Sequence, residues 1–191
     1  MIHLNTAMNH HRPSALPRLA PGRPFPPYTF IPGWHPHPTH HPEGHSYGVE
    51  PAEIDPPDPA AWAGCGMYLH GIDLFNHGYY WEAHEAWEEL WQADGRIGPV
   101  SDFLKALIKL AAAGVKVREG LPQGARAHAL NALPLFEKLK HRQAAETARF
   151  MGLDLGALSA FARAVAHDPP PGPPSASPAV PVFDFLLLPS E

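Results

Sequence analysis

The stretch that decides the reading is Leu74-Phe75-Asn76-His77-Gly78-Tyr79-Tyr80-Trp81-Glu82-Ala83-His84-Glu85-Ala86-Trp87-Glu88-Glu89-Leu90-Trp91. A helix ends, Gly78 turns the chain, and a second helix begins. Gly78 suits the position just past a helix end, where a left-handed backbone is needed. At about 100° per residue, Tyr80, Ala83, Trp87, Leu90 and Trp91 form one apolar stripe, and His84 falls inside it. Glu88 lies one turn beyond His84, while Glu82, Glu85 and Glu89 share the opposite face.

The same periodicity extends outwards. A first helix is expected from about Pro59 to Asn76, through Trp62, Cys65, Leu69 and Ile72, and the second from Tyr79 to Ala93. A third is expected over Ser101 to Arg118, with Ser101 as its N-cap and a small-residue run Ala111-Ala112-Ala113-Gly114 that permits close helix approach. A fourth spans Gln123 to His141, with Pro134 expected to kink or split it, and a fifth spans Asp154 to Ala166. No segment alternates as a strand should. The fold class is therefore all-α, a compact bundle of four to five short helices with mainly antiparallel neighbours.

Proline marks the boundaries of that bundle. Of 25 prolines, 14 lie in residues 1–60 and 8 follow residue 168. Proline removes a backbone donor and breaks helices, so the helical domain is placed at 61–167. Residues 1–27 are expected to be a disordered tail, 28–60 an irregular His/Pro-rich arm, and 168–191 a Pro-rich C-terminal tail. Within that last tail, Val182 to Leu188 is apolar enough to dock as an extended strap.

Composition narrows the function classes. The chain has 191 residues, a formal charge of -5 and no long Lys/Arg run, which argues against nucleic-acid binding. A single cysteine, Cys65, excludes an internal disulfide and a cysteine zinc site, and makes the cytoplasm the simplest compartment. Residues Met1 to Leu19 lack the apolar core of a secretory signal, and no apolar run is long enough for a membrane span.

The candidate site centres on His84. An imidazole on an apolar face must find partners, and His84 with Glu88 at i and i+4 points two ligand groups the same way. Asp73, one turn before His77, is the third candidate ligand, or the group that orients His84. Glu85 or Glu82 is then the candidate general base. Such a mixed imidazole/carboxylate set suits divalent Zn, Mn or Fe. The set differs from the zincin motif in having Glu88 where a second histidine is needed. In the arm, five histidines fall within residues 35–45. His37 and His45 are candidates to fold over the second helix, with Trp81 and Tyr80, and cap the site. The competing reading is plainer. His84, Asp73 and Glu88 are then a buried polar network that fixes helix registry in a non-enzymatic scaffold or binding module, with Trp81 and the arm serving a partner or a homodimer interface.

The pattern Leu74-Phe75-Asn76-x-Gly78-x-Tyr80-x-Glu82-Ala83-His84-Glu85-x-x-Glu88-x-x-Trp91 resembles the signature of a small all-α prokaryotic family, domain of unknown function 309. The run Phe103-Leu104-x-x-Leu107-Ile108-x-Leu110-Ala111-Ala112-Ala113 resembles that family's second signature, and the arm from Tyr28 to Gly48 is similar to an extension of its longer members. The resemblance covers about residues 28–165. Ala106 and Lys109 depart from the residues common there, Gly and Gln. The family is catalogued as predicted metal-dependent hydrolases, so the resemblance implies a helical bundle and a metal-assisted hydrolysis of an unknown small-molecule substrate.

Overall fold

A computed structural model describes residues 16–50, 53–142, 148–172 and 178–190. Five α-helices carry the architecture: α1 (Gly66–Asn76), α2 (Tyr80–Ala93), α3 (Pro99–Arg118), α4 (Pro122–Arg142) and α5 (Leu155–His167). Each packs chiefly on the next in sequence, from α1 against α2 through to α4 against α5. Their inner faces meet in one core that includes Tyr68, Ile72, Phe75, Trp87, Leu90, Phe103, Leu107 and Phe136. Among the described residues the fold is all-α apart from one small hairpin, β1 (Arg149–Phe150) and β2 (Leu153–Asp154), paired antiparallel just before α5.

The first helix starts later than its periodicity suggests. Trp62–Gly64 forms only a 3-10 turn, and α1 begins at Gly66 after Cys65 adopts ψ 88°. Two glycines flank Cys65, and glycine in a helix loses the most backbone entropy, so the helix breaks there. Ser101 is not the cap of α3. That helix starts at Pro99, whose ring presets the first helical φ, and Ser101 Oγ instead donates to Asp94 Oδ2 at 2.6 Å, tying α3 to the end of α2. Pro134 leaves α4 continuous. The carbonyl it deprives of a partner is that of Leu130, four residues earlier and on the solvent side (Leu130 51% exposed), where water can satisfy it. Asp154 does cap α5, its Oδ1 accepting from Ala157 N at 2.8 Å.

Close packing places α2 against α3. A Cβ added at Gly114 would lie 2.5 Å from the Tyr80 ring, so the small residue is what admits that aromatic. Gly78, at φ 87°, makes the α1–α2 turn.

Both proline-rich flanks lie on the bundle. Residues 1–15 fall outside the described residues, but 16–27 lie against α1 and the turn after it: Leu19 N donates to Asp73 Oδ1 at 2.8 Å, and Phe25 stacks on Tyr79 at 4.9 Å between ring centroids. The C-terminal strap is anchored by Phe183 and Leu187, both buried. Asn76 holds it with a reciprocal amide pair, Nδ2 donating to the Leu187 carbonyl at 2.9 Å and Oδ1 accepting from Leu187 N at 2.8 Å.

Candidate functional site

The turn at Gly78 starts α2 with Tyr80 inward and Trp81 outward. Tyr80 is a core residue, 2% exposed, its hydroxyl accepting from Val182 N at 2.9 Å. It anchors the strap and does not cap the site. Trp81 takes the outer position and stacks on the His84 ring, 5.8 Å between centroids and 27° between planes.

One helical turn brings three ligand types together. His84, Glu85 and Glu88 each offer an atom lying within 4.8 Å of the others. His84 Nδ1 stands 3.2 Å from Glu85 Oε1 and 3.7 Å from Glu88 Oε2. The side chains are 24%, 43% and 36% exposed respectively, so the cluster is open to solvent. One imidazole and two carboxylates are a donor set acceptable to Zn, Mn or Fe, and Trp81 holds the imidazole in one orientation. The spacing of His84 and Glu88 was legible in the sequence; the contact between the adjacent residues His84 and Glu85 is set by side-chain placement, which helical spacing does not give.

Asp73 is not part of this cluster. Its buried carboxylate accepts from Leu19 N at 2.8 Å and Ala20 N at 2.9 Å, with Arg18 Nε at 3.4 Å. A buried charge needs such partners, and the N-terminal segment supplies them. Glu82 is engaged in the same way. It is 7% exposed, with Thr29 Oγ1 donating to Oε2 and Phe30 N donating to Oε1, both at 2.7 Å. Glu82 therefore lies under the arm, and its carboxylate oxygens accept from backbone and hydroxyl donors.

His45 and His37 both lie over α2. His45 Nε2 is 3.3 Å from Glu82 Oε1, and its ring packs edge-on to Tyr28. His37 accepts at Nδ1 from the backbone of Thr39 and His40, and its ring faces Trp81 at 5.7 Å. The line His37, Trp81, His84 thus runs from arm to cluster.

Beneath the arm, beside α1 and α2, is a cleft of about 400 Å³. Its floor includes Met67, Leu74, Trp81 and Ala86, and Arg23, Glu85, Glu89 and His70 line it as well. His70 has a buried Nδ1 without a partner among the described residues. Burial, then the nearby Arg18 and Arg23 charges, hold its pKa down at about 4, so the ring is neutral near pH 7. Glu89 reaches solvent, yet lost hydration and then the Glu85 charge raise it above the ordinary carboxylate value. On the other side of the cluster, burial followed by Lys109 and Lys116 lowers His128 of α4. Sequence reading missed His70 and His128. The available signal was a histidine inside a helical pattern, one turn before Asp73 in the case of His70.

No curated protein matches the chain. Residues 68–128, which hold α1, α2, α3 and the start of α4, match the model of the family described as Domain of unknown function (DUF309). Over that segment the chain is similar to this family.

Proposed function

We infer that the chain is a metal-dependent hydrolase with its centre on α2. The observation that carries this reading is the convergence of His84, Glu85 and Glu88 ligand atoms within 4.8 Å on an open face of one helix. His84 and Glu88 would hold a divalent Zn, Mn or Fe. Bound there, the cation would supply Lewis-acid activation of water at neutral pH. Glu85 is the one member of the cluster that also lines the cleft, which makes it the carboxylate to take a proton from water attacking a small-molecule substrate held in that cleft. Glu82 does not serve as base, because its oxygens accept from Thr29 and Phe30. Trp81 keeps the His84 ring in place, and His37 and His45 keep the arm over Trp81. The free, half-buried Cys65 is compatible with a reducing cytoplasm.

A second reading has its own support. Asp73 on α1 and Glu82 on α2, both buried, serve to fasten chain segments, as they would in a binding scaffold without catalysis. Hydrolysis of generic phosphate and carboxylate esters by metal-loaded protein, against His84→Ala, separates the two. Metal-dependent turnover lost in the variant supports the first. A folded wild type that takes up the metal with no turnover on any ester leaves the second.

A further inference from the structure

The cleft under the arm has a chemistry of its own, apart from the cluster on its rim. Its volume, about 400 Å³, falls in the range of small-molecule sites. Leu74, Trp81 and Ala86 give it an apolar floor. The charged groups around that floor are unequal in sign. Glu50, Glu85 and Glu89 stand against the single cation Arg23, since Glu82 is taken up by the arm. Glu89 has neither a hydrogen bond nor an ion pair with any described residue, and neither does the Nδ1 of His70. An apolar floor with a negative wall and unfilled polar positions is complementary to a body of low polarity carrying a positive charge.

We propose that the cleft between the arm and α1/α2 binds an organic ammonium with an apolar body. The ammonium is received by Glu89 at the open side, the body lies on Leu74, Ala86 and the Trp81 ring, and His70 supplies a neutral polar contact at the α1 side. Trp81 adds attraction of its own, because an ammonium near an indole face is favoured by the ring quadrupole. The arm is the roof, and the bonds of Glu82 to Thr29 and Phe30 hold it closed. This binding needs no metal, so it stands or falls separately from the hydrolase reading.

The test is calorimetric titration of the full chain in chelator with three probes of matched size: 2-phenylethylammonium, 2-phenylethanol and 3-phenylpropionate. The ammonium binds saturably with one-to-one stoichiometry, at least tenfold more tightly than the alcohol or the carboxylate. Glu89→Gln weakens it about tenfold while the alcohol is unchanged, as expected for loss of a charge-assisted contact. Glu43→Gln, on the arm but outside the cleft, leaves it unchanged. The proposal is overturned if folded wild type binds none of the probes saturably, if the carboxylate binds as tightly as the ammonium, or if Glu89→Gln binds like wild type. Saturable, Glu89-dependent ammonium binding by a wild type that takes up no metal would refute only the metal centre.

Discussion

Thr29 Oγ1 donates to Glu82 Oε2 at 2.7 Å, and both residues are buried. This bond joins the irregular arm to the helix that carries the candidate site, and with Phe30 N it satisfies both oxygens of the carboxylate. The arm is thereby a fixed part of the domain surface, and the cleft beneath it has a roof.

Glu82→Gln tests that clamp. The neutral amide replaces one acceptor with a donor that faces Thr29 or Phe30, and hydrogen bonds to a charged group contribute about 1.5–3 kcal/mol. Unfolding free energy from urea titration falls by about 2 kcal/mol, and protease cuts appear first within residues 28–50.

Asp73→Asn makes a different prediction from the one its position invites. Its carboxylate bonds the backbone of Leu19 and Ala20, so the variant loosens residues 16–27 and costs about 1–2 kcal/mol. Metal uptake measured by elemental analysis stays at the wild-type level. Loss of metal in Asp73→Asn with the fold intact would put Asp73 back among the ligands.

Asn76→Ala removes both hydrogen bonds that hold Leu187. It leaves a buried N–H and a buried carbonyl without partners, at about 1–3 kcal/mol each before relaxation. Thermal unfolding shifts down by several degrees, and hydrogen exchange rises at residues 182–188.

The acid limb of stability reports His70. Its pKa in the folded chain is about 4, against an ordinary 6.5. Below 6.5 the unfolded chain binds the proton and the folded chain does not, so the contribution is complete above pH 6.5 and is lost as pH falls towards 4. In His70→Gln the stability curve is flatter across that window than in wild type. An identical slope in both would show that His70 protonates as readily folded as unfolded.

The helices were legible because burial along a helix repeats in sequence: Tyr80, Ala83, Trp87 and Leu90 show it in α2. The relation of His84 to Glu88 was legible for the same reason, since i and i+4 is a local spacing. Asp73 and Glu82 were misplaced because their partners are remote. Leu19 and Thr29 lie more than fifty residues away in sequence, and periodicity says nothing of what a separate segment brings to a helix face. The start of α1 was misjudged because Trp62 and Cys65 fit the apolar spacing while Gly64 and Gly66 break the backbone. The strap was readable from its apolar residues, Phe183 and Leu187, but not its attachment to Asn76, a polar residue at the end of an otherwise ordinary helix.

The central claim is that His84 organises a metal centre on α2. The most direct measurement is metal content of untagged protein, purified without metal resin and dialysed against chelator, then reloaded, for wild type and His84→Ala. The account predicts about one equivalent of a single divalent metal in wild type. In His84→Ala the metal is lost while the circular dichroism and melting temperature hold, because the His84 side chain is 24% exposed and lies outside the core. Wild type that retains no metal, or a folded His84→Ala that retains it on the histidines of the arm, would contradict the claim.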